Sequence, residues 1–189
     1  MSNSKKHIST INPVGPALDV RSADEIQWSD AVDVVVVGWG GAGASAAIEA
    51  REQGAEVLVI DRFSGGGASV LSGGVVYAGG GTKYQKQAGF EDSPEAMTAY
   101  LKHEVNGVVS DETLARFSRD SVANLDWLEK QGATFSSTMP AYKTSYPADG
   151  MFLYYSGNEV VPAYGNPQLV KKPAPRGHRV VAKGQSGAT

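Results

Sequence analysis

Residues 33–43 read Asp-Val-Val-Val-Val-Gly-Trp-Gly-Gly-Ala-Gly, and this stretch decides the fold. It joins a run of four valines to glycines in the spacing G-x-G-x-x-G, which fall at Gly38, Gly40 and Gly43. In such a motif the first glycine permits a tight turn, the second lets a pyrophosphate approach the backbone, and the third lets a helix pack closely on the strand. The stretch therefore predicts a buried strand, a dinucleotide-binding turn and the start of a helix.

The residues after the turn support this interpretation. Residues 44–53 are rich in strong helix formers, and Gly54 stands where a helix C-cap belongs. A short β-branched strand over residues 57–60 then ends at Asp61. This carboxylate follows the glycines by about twenty residues, the separation at which it can accept both hydroxyls of an adenosine ribose. A carboxylate there disfavours a 2′-phosphate, although the neighbouring Arg62 leaves NADP as an alternative.

A second glycine-rich stretch follows where an ordinary NAD domain would continue with a helix. Residues 65–81 contain eight glycines, interleaved with small hydroxyl residues and short apolar runs. A flexible linker is the alternative, but Gly/Ser linkers rarely carry Val-Leu, Val-Val and Tyr at regular intervals. We expect instead that the backbone closely approaches a flat ligand, which suits an isoalloxazine better than a nicotinamide.

These motifs resemble the FAD-binding half of the fumarate reductase and 3-ketosteroid dehydrogenase flavoproteins. The resemblance rests on the glycine turn at residues 37–43, on the Asp61-Arg62 pair and on the Gly-Gly-Ala-Ser-x-x-Ser-Gly-Gly stretch at residues 66–74. Later segments, including Ser-Gly-Asn-Glu at 156–159, look most like the 3-ketosteroid dehydrogenase branch. The resemblance implies an α/β, Rossmann-like FAD-binding domain of three layers with a parallel sheet, apparently incomplete.

The resemblance also implies a set of cofactor-binding residues, dominated by glycines and small side chains. They are Gly38, Gly40, Gly41, Ala42, Gly43, Asp61, Arg62, Gly67, Ala68, Ser69, Ser72, Gly73 and Gly74. Several fumarate reductase relatives attach FAD covalently to a histidine in the second stretch, and this chain has no histidine there. We therefore expect FAD to be bound non-covalently.

The catalytic residues stay unassigned at this stage. Five tyrosines after Pro140 could each supply a phenol as a proton donor or as an electrophile toward a ketone oxygen, but position alone selects none of them. They are Tyr142, Tyr146, Tyr154, Tyr155 and Tyr164. A basic cluster follows at Arg176, His178, Arg179 and Lys183, for which a solvated loop is the favoured interpretation and an anion site the alternative.

The chain divides into two parts by composition. Residues 1–30 are polar and lack the apolar core of a signal peptide, which is typical of a flexible arm. Residues 31–189 are expected to be the N-terminal part of an FAD-binding domain, with the cap domain and the remainder absent, because only two parallel strands are identifiable. Within this part, capping residues predict helices from about 93 to 104 and from about 111 to 131, and short strands and loops follow residue 140.

Charge and cysteine content narrow the function classes further. A formal net charge of −3 is too mild to indicate nucleic acid or an anionic membrane. The absence of cysteine excludes disulfides and thiolate metal sites, and no metal-ligand cluster is visible. The longest apolar run is far too short to span a membrane. We expect a cytoplasmic protein, and the sequence assigns it no oligomeric state.

Three functions stay open. The first is a 3-ketosteroid dehydrogenase, in which FAD N5 accepts a hydride and a carbon–carbon double bond forms. The second is a fumarate reductase-like enzyme that reduces unsaturated carboxylates, and the third is a non-catalytic FAD-binding fragment. The two enzymes would need a steroid or an unsaturated acid as substrate and an electron acceptor or donor as partner, and this segment alone is expected to be inactive.

Overall fold

The computed structural model describes residues 15–16, 19–161 and 173–183, which form an α/β arrangement of five strands and five α-helices after one short 3₁₀ turn at Ala23–Glu25. The strands are β1 (Val34–Val37), β2 (Val57–Ile60), β3 (Val75–Tyr77), β4 (Leu153–Tyr154) and β5 (Gly177–Arg179). The helices are α1 (Gly41–Glu52), α2 (Gly67–Val70), α3 (Lys83–Gln87), α4 (Pro94–Val105) and α5 (Asp111–Lys130).

The first two strands form the parallel pair that the glycine motif predicts. Val34 lies opposite Val57, and the register continues to Val37 opposite Ile60. Parallel neighbours need a crossover connection, which α1 supplies. The strand–turn–helix–strand order predicted for residues 34–60 is therefore confirmed.

A second sheet, which the sequence did not predict, lies further along the chain. Its three strands are antiparallel in the order β3-β5-β4, with Val76 opposite His178 and Leu153 also opposite His178. Strands of two or three residues after position 140 agree with the expected short elements, but β3 pairs with a strand that lies about a hundred residues away. Side chains on this sheet and beside it form the most buried part of the described molecule.

The two long helices begin and end close to the predicted positions. Ser93 caps α4 by accepting a hydrogen bond from the Ala96 amide, and Ser110 caps α5 in the same way. The buried face of α5 carries Leu114, Ser118, Ser121 and Leu125. Phe117 is 40% exposed, because its side chain points roughly 100° away from that of Ser118 around the helix axis.

The N-terminal region is described only in part. Most of the segment predicted to be a flexible arm, residues 1–14 and 17–18, lies outside the described residues. The flexible arm over residues 1–30 stays a prediction. Across the described ranges, no helix combines the length and the apolarity needed to cross a bilayer.

Candidate cofactor site

The glycine turn holds α1 directly against the end of β1. Gly38 has a φ of +97°, a conformation that favours glycine, and its amide donates to the Ile60 carbonyl at 2.7 Å. A Cβ atom at Gly43 would overlap the carbonyl oxygen of Gly38 and lie 3.3 Å from Val36 Cγ1. The close helix–strand approach predicted for the third glycine is therefore present, and no larger residue fits there.

The structure brings the two glycine segments together. Gly67 has a φ of +53°, and a Cβ atom on it would lie 3.1 Å from the Gly40 Cα. The Gly66 amide donates to the Trp39 carbonyl at 2.5 Å, and the Gly41 amide donates to Ser69 Oγ at 3.2 Å. The segments around Gly40 and Gly67, both predicted to bind the cofactor, thus form one continuous surface.

The N-terminus of α1 provides free hydrogen-bond donors on this surface. Gly40 is the N-cap and has no side chain to bond the first amides. Among the described residues, the amides of Ala42 and Gly43 have no acceptor. Because the first amides of a helix carry the positive end of its dipole, this donor set fits a pyrophosphate without a basic side chain.

Asp61 lies at the end of β2, beside the turn. Its carboxylate accepts from the Trp39 amide at 2.5 Å and from the Phe63 amide at 2.7 Å. These two backbone hydrogen bonds, the Trp39 bond above all, hold the pKa of Asp61 below its usual range. A cleft of about 480 Å³ lies here, lined by residues 37–38 and 60–63. The charged, fixed carboxylate fits the hydroxyls of a ribose.

The second glycine segment presents small exposed groups. Ser72 Oγ donates to the Ser69 carbonyl at 2.7 Å and accepts from the Gly74 amide at 3.2 Å, which shapes the bend into β3. Ala68 is exposed beside them. The small side chains leave the backbone of this segment accessible, and its contact with a planar ligand stays a prediction. Arg62, by contrast, places its guanidinium 5.3 Å from the centre of the Phe63 ring.

The profile of a protein family described as "FAD binding domain" matches residues 33–178. The chain belongs to this FAD-binding family. The match confirms the predicted cofactor, FAD, and the predicted Rossmann-like fold class, while non-covalent attachment stays a prediction.

Individual relatives agree with the predicted resemblance to steroid dehydrogenases and fumarate reductases. The chain is 84% identical over 190 residues to 3-oxo-5-alpha-steroid 4-dehydrogenase from Comamonas testosteroni, covering 100% of this chain and 35% of that protein. It is 42% identical over 109 residues to a fumarate reductase (cytochrome) from Shewanella frigidimarina, covering 55% of this chain and 18% of that protein. This FAD-binding chain thus spans about a third of the length of the first relative.

A solved structure shows the same fold. The 3-ketosteroid-delta4-(5alpha)-dehydrogenase from Rhodococcus jostii RHA1, in complex with 4-androstene-3,17-dione, superposes with a TM-score of 0.79 at 37% identity. The superposition covers 88% of this chain and 35% of that one. This superposition confirms the predicted fold class.

The basic cluster of the FAD-binding domain lies inside the protein, so its interpretation as a solvated loop was wrong. Arg176 is fully buried and holds Asp92 through two hydrogen bonds, Nε–Oδ2 at 2.9 Å and Nη2–Oδ1 at 2.8 Å. Arg179 is also buried and binds Asp149 at 2.9 Å. Only Lys183 of the predicted cluster is exposed. The cluster is a structural feature, and neither arginine faces solvent as an anion site would require.

The last three glycines of the second stretch pack around this ion pair rather than along the cofactor surface. A Cβ atom at Gly79 would lie 2.7 Å from Asp92 Oδ2 and 2.9 Å from Arg176 Nε. The Gly80 amide donates to Asp92 Oδ2 at 3.0 Å. The stretch therefore divides into a part that carries predicted cofactor-binding residues and a more buried part around the ion pair, which composition alone could not distinguish.

His178 lies next to the ion pair and is neutral. Its Nε2 lies 2.9 Å from Thr82 Oγ1, and its Nδ1 lies 3.1 Å from the Arg176 carbonyl oxygen. Burial lowers the pKa of His178 to about 4. Because the carbonyl can only accept, Nδ1 carries the proton and Nε2 accepts from the threonine hydroxyl.

A further buried acid was missed from the sequence. Glu159 is 1% exposed, accepts from the Tyr77 hydroxyl at 3.2 Å and from the Gly157 amide at 3.0 Å. Burial raises the pKa of both Glu159 and Tyr77. The Ser-Gly-Asn-Glu segment was recognised only as a family resemblance, and its partner tyrosine is 82 residues away.

The five tyrosines considered as candidate catalytic residues differ in their surroundings. Tyr142 and Tyr146 are exposed, Tyr155 donates to the Pro173 carbonyl at 3.2 Å, and Tyr164 lies outside the described residues. Tyr154 is buried. In the ranges that the structure describes, no group of three or more His, Cys, Asp or Glu side chains is arranged to hold a metal ion.

Proposed function

We propose that this chain is the FAD-binding part of a flavin-dependent oxidoreductase that acts on CH–CH bonds, specifically a 3-ketosteroid dehydrogenase. The observation that carries the proposal is the 84% identity to the Comamonas testosteroni steroid dehydrogenase along the whole of this chain. The geometry supports it, because two glycine segments, a free helix N-terminus and a strand-end carboxylate meet on one surface.

On this proposal the cofactor lies across that surface. The free amides of Ala42 and Gly43 bind the pyrophosphate, Asp61 accepts the ribose hydroxyls, and the small residues of the second segment follow the flavin. The full set proposed for FAD is Gly38, Gly40, Gly41, Ala42, Gly43, Asp61, Arg62, Gly67, Ala68, Ser69, Ser72, Gly73 and Gly74. Binding is proposed to be non-covalent, because the described surface carries no histidine or cysteine.

The chain's contribution to the reaction is orientation. When bound, FAD supplies the acceptor for a hydride from one ring carbon of the steroid, while a base takes the proton from the neighbouring carbon. The rigid glycine turn fixes the nucleotide end of the cofactor, and the bend at Ser72 fixes the path of the segment that follows the flavin. No residue of this chain is assigned as the base.

The proposal also covers the domain limits, the partners and the compartment. Residues 31–189 are proposed as the N-terminal part of the FAD-binding domain, and residues 1–30 as an arm. The partners are proposed to be a ketosteroid and an electron acceptor, and the compartment the cytoplasm.

Reduction of unsaturated carboxylates is less well supported by the site. A dicarboxylate substrate requires cationic side chains that are free to bind it. Arg176 and Arg179 are both buried and bound to carboxylates of the chain itself. Neither can take a substrate carboxylate without giving up its partner.

Anaerobic spectroscopy tests the proposed function on the FAD-loaded longer protein, of which this chain is proposed to be the FAD-binding part. We expect a saturated 3-ketosteroid to bleach the flavin absorption band, and fumarate to leave chemically reduced flavin unchanged. Reoxidation by fumarate without bleaching by steroid would instead indicate a carboxylate reductase. Bound flavin that responds to neither compound would indicate a binding fragment.

A further inference from the structure

A second cleft adjoins the end of the proposed flavin surface. It has a volume of about 320 Å³, at the lower end of the range for small-molecule sites. Gly73 and Val75 form one side, residues 145–147 form the rim, and Tyr154 and Arg179 complete it. Gly73 also belongs to the proposed FAD-binding set, so a ligand here would lie beside the flavin.

Tyr154 is the buried tyrosine of this cleft, and its hydroxyl has no hydrogen-bond partner among the described residues. It is 5% exposed, and its ring lies over Gly177, where a Cβ atom would stand 3.0 Å from Tyr154 Cε1. Across the described ranges its hydroxyl forms no hydrogen bond, and it is not among the fully enclosed polar atoms that lack a partner, so the hydroxyl keeps contact with the cleft. The hydroxyl therefore has its hydrogen-bonding capacity available to a ligand.

The other tyrosines of the described core behave differently. Four of them donate to an acceptor within the chain: Tyr77 to Glu159, Tyr84 to Glu129, Tyr100 to Glu104 and Tyr155 to the Pro173 carbonyl. The contrast distinguishes Tyr154 from tyrosines whose hydroxyl completes the fold.

The chemistry of the cleft favours an uncharged oxygen as the ligand group. Arg179 donates to the Pro147 carbonyl at 3.0 Å and to Asp149 at 2.9 Å, so its charge is already neutralised. Val75 and Pro147 are apolar. Burial raises the pKa of Tyr154, which keeps the phenol protonated at neutral pH. Ser145 and Tyr146 also line the cleft, so its lining combines uncharged hydroxyl groups with apolar side chains and carries no free cation among the lining residues. Such a lining suits a ketone or hydroxyl oxygen better than a carboxylate.

Resting on the proposed function, we propose that Tyr154 donates a hydrogen bond to an oxygen of the bound steroid and thereby determines which steroids bind. This oxygen is at either the 3-keto end or the opposite, C17 end of the ring system. The hydroxyl is a recognition group, and the proposal assigns it no proton transfer.

The test compares two steroids and two variants by equilibrium dialysis on the FAD-loaded longer protein, of which this chain is proposed to be a part. The steroids are 5α-androstane-3,17-dione and 5α-androstan-3-one, which differ only in the C17 oxygen. Tyr154→Phe removes the hydroxyl and keeps the ring, and it breaks no hydrogen bond within the described chain. Tyr142→Phe, at a 73% exposed tyrosine outside the cleft, is the matched control.

Each outcome has a separate meaning. Weaker binding of the dione alone in Tyr154→Phe, by about 3- to 10-fold, places the contact at the C17 oxygen, and equal weakening of both steroids places it at the 3-keto oxygen. Tyr154→Phe that binds both steroids as tightly as wild type overturns this proposal and leaves the proposed function standing. Wild-type protein that binds FAD but neither steroid overturns both.

Discussion

The glycine turn around α1 and the antiparallel sheet β3-β5-β4 use polar groups in opposite ways. In the turn, the polar groups are backbone amides and an exposed carboxylate, and α1 has no buried residue. In the sheet, Arg176 and His178 are fully buried and bonded to partners within the chain. The turn offers its donors to a ligand, whereas the sheet uses its donors to hold itself together.

This difference determines how each region can be damaged. The turn requires that residue 43 has no side chain, because a Cβ atom at Gly43 would overlap the carbonyl oxygen of Gly38. The sheet region requires specific side chains, because each buried charge must be paired with a group of opposite charge. We therefore expect an added methyl group to disrupt the glycine turn and the loss of a carboxylate to destabilise the sheet region.

The largest expected effect comes from removing a charge in the sheet region. Asp92→Ala leaves the Arg176 guanidinium buried and unpaired, and we expect the free energy of unfolding to fall by about 3–5 kcal/mol in urea denaturation. Asp120→Ala breaks only exposed ion pairs and should cost less than about 1 kcal/mol. Replacing both partners, with Arg176→Met added, should recover part of the loss. Similar small losses at Asp92 and Asp120 would contradict the account.

The buried histidine should make the same region sensitive to acid. The pKa of His178 is about 4 when folded and about 6.5 when unfolded. The unfolded chain therefore takes up a proton that the folded chain excludes, and stability falls as the pH drops from 6.5 toward 4. Between pH 7.5 and 5 we expect a loss of about 2 kcal/mol from this residue. We expect His178→Gln, measured by the same denaturation series, to lack this part of the pH dependence. If stability falls between pH 7.5 and 5 as much in the variant as in the wild type, His178 is not its cause.

In the turn, we expect Gly43→Ala to reduce stability by about 1–3 kcal/mol and to abolish FAD retention. The added methyl group pushes α1 away from β1 and moves the amides that the pyrophosphate needs. Gly15→Ala is the control, because a Cβ there has nothing within 4 Å. FAD binding that survives Gly43→Ala would show that the close approach of helix and strand is not required.

The smallest effect concerns the strand-end carboxylate. We expect Asp61→Asn to weaken FAD binding by about 10-fold, since a charged acceptor for the ribose is replaced by a neutral one. Asp33→Asn is a matched control, because Asp33 also accepts a backbone amide, that of Glu56 at 2.8 Å, beside the same strand pair. Fluorescence titration with FAD compares the two, and equal affinities would remove Asp61 from the site.

The same comparison explains what the sequence could predict. The turn is encoded locally, because Gly38, Gly43 and Asp61 all fall within one strand–helix–strand unit. The caps Ser93 and Ser110 are also local signals, and the helices they begin were predicted. These elements need no knowledge of distant partners.

The sheet region depends on distant residues and was not predictable in the same way. Arg176 pairs with Asp92 across 84 residues, and β3 pairs with β5 across a similar distance. Without knowledge of its distant partners, a run containing Arg, His and Arg indicates a solvated loop. Tyr154 was one candidate among five tyrosines, and among the four described ones it alone combines a buried ring with a hydroxyl that has no partner.

The most direct test of the central claim is the visible absorption spectrum of the purified chain after FAD has been added and the excess removed. The account predicts a retained flavin band at about one FAD per chain, because the turn, the second glycine segment and Asp61 are all present. A chain that is folded by circular dichroism but retains no flavin would contradict the claim that these residues form the FAD site.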